Sequence, residues 1–460
     1  MAAENRLVSL DVFRGMTIAG MVLVNNPGSW EHIYSPLEHA EWNGLTPTDW
    51  IFPFFLFIVG VSISISLGRR TDEKPDRRTY GKIIWRAASI YLLGAALSIV
   101  PFFQFQSTNA PDLLKLVIWL AFCASLYFLL LRRFKWAGVL FVVGLLGIAG
   151  MNLAGYNVVP YNYGHLRIFG VLQRISVCYL IISLVFLHTN WKQLVGISAV
   201  LLLGYWIIMT TIPVPGCDVT TVSDKACNLA AYLDRTIIGL DHIWRQGKVY
   251  DPEGILSTIP AIVTTISGAL AGMWLVSRPA TYEGAMQDAS SDGQDLASSP
   301  EPAANENSYS ALNKVSGMFF FGAVLLAAGF LWGLFFPLNK SLWTSSYVFV
   351  TTGLALLVLS SCYWLIDIKG YKAWAKPFVI FGVNAIALFV FTGFFARIIG
   401  AYHVMGADGE PVDLQSVVMN NVFLPIFQPI DASLAFALCF ILLWLFLMWL
   451  LYRKQIYIKV

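Results

Sequence analysis

The chain has 460 residues, of which 57% are hydrophobic and only 12% are charged. This composition excludes an ordinary soluble globular domain and indicates a polytopic membrane protein. The formal net charge is only +3, and the basic residues form no stripe of the kind that binds nucleic acid. We therefore expect membrane lipid around the chain and no nucleic-acid partner.

Apolar runs long enough to cross about 30 Å of hydrocarbon recur along almost the whole sequence. Because lipid cannot hydrogen-bond to exposed backbone groups, each run is predicted to be a helix. The predicted fold is an all-α polytopic membrane protein with about twelve transmembrane helices. The predicted spans cover approximately residues 7–25, 50–67, 83–103, 114–131, 136–153, 168–187, 194–211, 256–276, 315–335, 345–366, 377–399 and 432–451.

Lysine and arginine are concentrated in alternate connecting segments, such as RRFK, TNWKQ and the C-terminal tail YRKQIYIKV. This bias predicts that both termini are cytoplasmic and that the loop after the first span faces outward. The first run has no clear cleavage site, so we expect it to remain in the membrane and not to act as a cleavable signal peptide. The expected location is the bacterial inner (cytoplasmic) membrane, as a multi-pass protein.

Residues 278–314 include the polar, acidic stretch QDASSDGQDLASSPEPAANENS and few aromatic residues. This composition is typical of a disordered linker, here on the cytoplasmic side. Apolar runs resume after it, and no internal repeat is evident. We therefore expect one transmembrane domain over residues 1–460, with the linker inside it.

A polar and aromatic loop separates the first two spans and contains the run LEHAEWNGLTPTD. In so hydrophobic a chain, a loop with two histidines, several carboxylates and no lysine or arginine is a candidate reaction centre. A surface or interfacial histidine is the simpler interpretation of His39 if its position alone is considered. The surrounding motif favours the reaction centre.

The segments SLDVFRGMTIAGMVLVNN and HAEWNGLTPTDWIFPFFLFIVGVSI resemble the first conserved block of the heparan-α-glucosaminide N-acetyltransferase family and its bacterial relatives. LRIFGVLQR, NKSLWTSSYVFVTTGLALL and PFVIFGVNAIALFVFTGFF resemble later blocks in the same order. The resemblance implies transfer of acetyl from acetyl-CoA, held from the cytoplasmic side, to the amine of a glucosamine-type sugar outside. Two departures are noted: the large N-terminal luminal region of the lysosomal enzymes is lacking, and residues 107–165 supply an extra two-helix insert.

By this resemblance, His39 is the catalytic histidine. An imidazole is suited to remove a proton from the acceptor ammonium near neutral pH. It can instead take the acetyl group as a nucleophile, and the sequence leaves both routes open. Asn25 matches a family asparagine that could donate a hydrogen bond to the thioester oxygen, with helix capping as its alternative role.

Candidate substrate-binding residues lie in two predicted outer loops. In the first loop, Asp49 has an alternative role as the N-cap of the second span. In the loop between the seventh and eighth spans, carboxylates lie near aromatic residues, as an amino-sugar site requires, although a solvated loop is equally compatible. The candidates are Glu38, Trp42, Asn43, Asp49, Asp241, His242, Asp251 and Glu253.

Polar residues at membrane depth are candidates for binding coenzyme A. Arg14, three residues after Asp11, is expected to pair with it, and Arg86 has the alternative of extending to the interface. Asn384 has the alternative of bonding between helices. The full candidate set is Arg14, Arg86, Gln173, Arg174 and Asn384.

Cys217 and Cys227 share the outer loop PGCDVTTVSDKACN, where an oxidising compartment favours a disulfide over two free thiols. We expect no metal site. A secondary transporter of a sugar is the alternative from another class, although the chain lacks the repeated halves typical of transporters. An O-acyltransferase acting on a cell-surface glycan is a further alternative. The oligomeric state stays open, with a homodimer as one option.

Overall fold

The computed structural model describes residues 7–68, 75–277, 303–405 and 410–458. Its regular structure is almost entirely helical, which confirms the predicted all-α polytopic class. The long helices are α1 Val8–Asn25, α2 Ile51–Leu67, α3 Arg77–Ile99, α4 Asp112–Leu130, α5 Phe134–Leu153, α6 Val171–Phe186, α7 Trp191–Thr211, α9 Thr258–Val276, α10 Ala303–Gly333, α11 Ser345–Cys362, α13 Ala385–Ala401 and α15 Pro429–Arg453.

Shorter elements connect these helices. They are α8 Leu229–Leu233, α12 Lys376–Val383, α14 Leu414–Val418 and an antiparallel pair of strands, β1 His403–Met405 and β2 Pro411–Asp413. Each strand has only three residues, so the pair closes a connection and adds no sheet to the core.

Each predicted span overlaps a helix, and the eleventh overlaps two. Among the described residues, ten helices are long and apolar enough to cross a membrane on their own. The sixth prediction corresponds to the shorter helix α6, which has 16 residues. The predicted linker 278–314 lies mostly outside the described residues, but its last part, residues 303–314, belongs to α10.

The eleventh predicted span is broken at Asn384. Helices α12 and α13 meet there at an angle of 82°. The amide of Asn384 donates to the carbonyl of Ile456 at 3.1 Å and accepts from the backbone N–H of Ile458 at 2.8 Å. Asn384 therefore attaches the break to the C-terminal segment, which follows the last helix.

The centre of the bundle is formed by α1, α2, α9 and α11. Its buried apolar side chains include Phe13, Phe57 and Leu359, each at most 1% exposed. Close approach of α2 to α9 depends on glycine: a Cβ placed at Gly60 would lie 1.9 Å from the backbone oxygen of Thr265. Small residues of this kind let helix backbones approach closely in membranes, where hydrophobic attraction between helices is weak.

Residues 107–165 form the antiparallel pair α4 and α5 with the segments beside them. Lys115 is 4% exposed, and its ammonium donates to the carbonyls of Phe105 at 2.8 Å and Thr108 at 3.2 Å. It also lies 2.7 Å from Oδ1 of Asp112. A buried lysine is stable only with such partners, so Lys115 attaches α4 to the segment before it.

Substitution of Gly60 by alanine is expected to lower the free energy of unfolding by about 1–3 kcal/mol, because the added methyl forces α2 and α9 apart. The measurement is the thermal unfolding midpoint in detergent. Gly196→Ala is the matched control, since a Cβ there meets no atom within 4 Å. Equal midpoints for the two variants would contradict the packing argument.

Candidate functional site

The loop that contains His39 is fixed at the start of α2. Thr46 precedes a short 3-10 helix, Pro47–Trp50, which leads directly into α2. Asp49 is the third residue of this helix, and its Oδ2 accepts a hydrogen bond from the backbone N–H of Thr46 at 3.1 Å. The two residues form a capping box. The N-cap is therefore Thr46, and the alternative prediction that placed Asp49 at the N-cap is wrong by three positions.

His39 and Asp49 form a hydrogen-bonded pair. Nδ1 of His39 lies 2.7 Å from Oδ1 of Asp49, and the other carboxylate oxygen accepts from the backbone N–H of Ala40 at 3.1 Å. Asp49 is 1% exposed, whereas the imidazole is 49% exposed. Because a carboxylate only accepts, the proton of the neutral imidazole is assigned to Nδ1. Nε2 then carries the lone pair, on an accessible ring.

Lys340 completes the group from a different loop, between α10 and α11. Its Nζ lies 2.9 Å from Nδ1 and 3.2 Å from Nε2 of His39, and 3.5 Å from Oδ1 of Asp49. Burial lowers the pKa of Lys340, while the negative charges of Asp49 and Glu253 oppose that effect. The site therefore combines an imidazole, a carboxylate and an amine within hydrogen-bonding distances.

Sequence reasoning missed Lys340. The residue belongs to NKSLWTSS, a segment used only as part of the family resemblance. The available signal was a single lysine in a predicted outer loop, beside an asparagine and inside a resembling block. Sequence separation hid its partner, because 301 positions separate it from His39.

Several contacts hold the two loops together. The amide of Asn339 donates to Oδ1 of Asn43 at 3.1 Å, and the backbone N–H of Gly44 donates to the carbonyl of Leu338 at 2.8 Å. The hydroxyl of Tyr347 in α11 donates to the carbonyl of Asp49 at 2.7 Å. Asn43 thus contributes to the junction of the loops that carry His39 and Lys340.

Trp42 joins the His39 loop to the segment between α7 and α9. Its indole N–H donates to the carbonyl of Val222 at 3.0 Å, and its ring meets that of Tyr250 edge to face at 4.9 Å between centroids. Val222 lies between Cys217 and Cys227, whose sulfur atoms are 2.02 Å apart in a disulfide. Trp42 is buried, so it contributes packing between loops.

The structure places Asp251 and Glu253 in an ion cluster with Arg167. The Arg167 guanidinium donates to Asp251 at 2.9 Å and 2.5 Å and also contacts Glu253. Burial opposes the charge of Arg167, but the two carboxylates outweigh it and raise its pKa. Beside them, burial raises the pKa of Asp234 to about 6, although two backbone N–H groups donate to that carboxylate.

Arg174 and Gln173 lie beneath this cluster and are buried. Arg174 is fully buried, donates to the carbonyl of Gly254 at 3.1 Å and contacts the hydroxyl of Ser257. Its guanidinium carbon lies 5.2 Å from the ring centroid of Trp343. Trp343 follows Lys340 in the same turn, so Arg174 connects the ion cluster with the Lys340 loop.

The other candidates for coenzyme A binding lie elsewhere. Arg14 pairs with Asp11 at 3.4 Å, as the spacing predicts, and donates to Ser62 at 3.0 Å. Arg86 is exposed, with its guanidinium 5.2 Å from the ring centroid of Tyr179. Within the described ranges no hydrogen bond joins Arg14 or Arg86 to the group around His39.

The remaining candidates are exposed or bind neighbouring loops. Asn25 is the last residue of α1 and is exposed, as is Glu38, whose carbonyl accepts from the hydroxyl of Thr46 at 2.6 Å. Asp241 lies 3.0 Å from the imidazole of His165, and Nδ1 of His242 donates to the carbonyl of Leu166 at 2.8 Å. Asp241 and His242 thus connect the segment before α9 with the segment before α6.

Comparisons with known proteins support the resemblance. A family profile described as the catalytic region of heparan-alpha-glucosaminide N-acetyltransferase matches residues 6–160, a range that includes most of the predicted insert. The human heparan-alpha-glucosaminide N-acetyltransferase is 26% identical over an alignment that covers 85% of this chain and 53% of that protein. The mouse protein of the same name is 25% identical over the same shares. The chain therefore spans about half the length of these relatives, and its predicted resemblance to their family is confirmed.

Replacement of Arg167 by methionine is expected to lower the free energy of unfolding by about 3 kcal/mol, since two buried carboxylates lose their partner. Denaturation in detergent measures the effect, with Arg245→Met, at an exposed arginine of the same outer region, as the control. Adding Glu253→Gln should restore part of the loss, because it removes one unpaired charge. A wild-type unfolding midpoint in Arg167→Met would refute the role of the ion pair.

Proposed function

We propose that this chain transfers the acetyl group of acetyl-CoA to the amine of a glucosamine-type sugar. The observation that carries the proposal is the contact of 2.7 Å between His39 and the buried Asp49. This pair lies inside the range that matches the catalytic region of the acetyltransferase family. The names of the human and mouse relatives supply the class of acceptor.

The geometry supports a base at Nε2 of His39. The amine nitrogen of the acceptor must lose a proton to attack the thioester carbonyl, and the lone pair at Nε2 can accept that proton. A C–N bond then forms as the C–S bond breaks, and coenzyme A leaves as a thiolate that regains a proton. In the alternative route, Nε2 attacks the thioester, the C–S bond breaks and coenzyme A leaves as a thiolate that gains a proton; the acetyl-imidazole then passes the acetyl group to the amine, and the C–N bond to the ring breaks. Asp49 assists either route by holding the ring in one tautomer.

We propose that the donor is held from the cytoplasmic side and the acceptor from the outer side. The support is the bias of basic residues, which predicts that the His39 loop lies outside. The phosphates of coenzyme A cannot cross lipid, whereas the thioester ends a long arm that a cleft between helices can admit. Arg14 and Arg86 are the proposed phosphate contacts, in line with the preference of arginine for phosphate.

The acceptor is proposed to bind among the outer loops around His39. Glu38 precedes His39 and is exposed, so its carboxylate is available to an ammonium group. Asn25, Asn43 and Asp241 are also exposed. Asn25 is the proposed partner of the thioester oxygen, and Asn43 and Asp241 are the proposed partners of sugar hydroxyls. This assignment explains why the polar candidates lie at one end of the bundle.

His39→Ala should reduce acetyl transfer to glucosamine at least about 100-fold, because a positioned base contributes 10²–10⁴-fold. Labelled acetyl-CoA and purified protein give the rate directly. His32→Ala is the matched control, since it removes another exposed histidine from the same loop and should transfer at the wild-type rate. An unchanged rate in a folded His39→Ala protein would refute the assignment.

Sealed vesicles of known orientation test the two-sided arrangement. Product should form when acetyl-CoA is supplied on the cytoplasmic face and glucosamine on the outer face, because each substrate reaches its own side. Arg86→Gln should raise the KM for acetyl-CoA and leave that for glucosamine nearly unchanged, as expected for a local phosphate contact. Product formed only with both substrates on the outer face would contradict the arrangement while leaving the reaction class intact.

A further inference from the structure

Lys340 makes an unusual contact with His39. Its Nζ is almost equally distant from the two ring nitrogens, at 2.9 Å from Nδ1 and 3.2 Å from Nε2. The in-plane bonding directions of the two nitrogens diverge, so one N–H cannot align with both. Nδ1 is moreover already engaged by Asp49. Lys340 therefore places its amine beside the ring, and Nε2 is the ring nitrogen that Asp49 leaves open to one of its N–H groups.

The turn that carries Lys340 is held firmly. Asn339 is fully buried, and its side-chain oxygen accepts from the backbone N–H of Leu342 at 2.8 Å. Its own backbone N–H donates to the hydroxyl of Thr344 at 3.1 Å. The Asn339 amide also reaches Asn43 in the His39 loop. The amine is thus presented to the ring by a turn with few alternative conformations.

The charges of Asp49 and Lys340 act in opposite directions on the protonation of His39. Asp49 on its own would favour a protonated His39, and an imidazolium has no lone pair with which to accept a proton or attack a thioester. A positive charge beside the ring disfavours that form. The other charged groups near the pair are Glu253, which faces Lys340, and Glu38 and Glu41, which flank His39 in sequence.

We propose that Lys340 is a positioning residue that keeps His39 neutral, with its lone pair on Nε2, in the presence of the Asp49 carboxylate. Asp49 sets the tautomer and Lys340 sets the protonation state. The neutral ring is a property of the protein alone, and only its consequence for acetyl transfer rests on the proposed function. Burial lowers the pKa of Lys340 itself, while Asp49 and Glu253 help to retain its proton.

The protonation state of His39 can be measured without catalysis. Diethyl pyrocarbonate modifies neutral imidazole, and His39 is 49% exposed, so the reagent can reach it. Mass spectrometry of the His39 peptide gives the rate of modification as a function of pH. In Lys340→Met and Lys340→Gln, the whole modification profile should move to higher pH, because a nearby positive charge has been removed.

Two controls separate this role from a structural one. Lys340→Arg keeps the charge and should retain a profile close to wild type. Lys225→Met removes an exposed lysine from another outer loop and should change nothing. Thermal unfolding identifies any variant that fails to fold, and the methionine and glutamine variants provide independent measurements of the same charge loss.

The acid limb of the transfer rate should move with the modification profile, and by the same amount. Modification profiles that coincide in wild type, Lys340→Met and Lys340→Gln would overturn the inference, whatever the rates. A normal shift in modification together with no transfer in the wild type would instead refute the proposed function. The two failures are therefore distinguishable in one set of proteins.

Discussion

The carboxylate of Asp49 is the constraint on which the arrangement around His39 depends. It accepts from Thr46 and Ala40, so it sets both the start of α2 and the path of the loop before it. The same group binds His39 at 2.7 Å and lies 3.5 Å from Lys340. A buried carboxylate needs several partners to remain charged. The partners that stabilise Asp49 are also those that position the imidazole.

The helix bundle supplies the rigidity that this arrangement needs. Close packing of α2 on α9 at Gly60 and Gly268 fixes the start of α2 relative to the residues that precede α9. Asp251 and Glu253 belong to those residues and form an ion cluster with Arg167. Arg174 connects this cluster with the turn of Lys340 through Trp343. The ion cluster is thus a support for the His39 site, and its carboxylates are occupied by arginine in this structure.

Proposed chemistry and local order agree at the site. An acyl transfer to an amine requires a base that is neutral and accessible, yet held in one orientation. His39 is half exposed, while the groups that orient it are buried or nearly so. The exposed part of the ring is accessible from outside the loop, and the buried partners restrict its rotation. The need for an imidazole that is accessible but fixed explains why this polar loop, which lies outside the helices, is held by buried contacts.

The sequence alone determined the membrane class, the approximate positions of the spans and the cysteine pair, and it made His39 a candidate, because hydropathy and local motifs reflect each residue's own surroundings. Only the tertiary structure decided that Lys340 meets His39 across 301 positions and that Arg167 occupies Asp251 and Glu253. It also decided that the eleventh span breaks at Asn384, which composition did not signal. Such pairings depend on how helices that are distant in sequence pack together. The residue pattern of one segment does not indicate which other segment will pack against it.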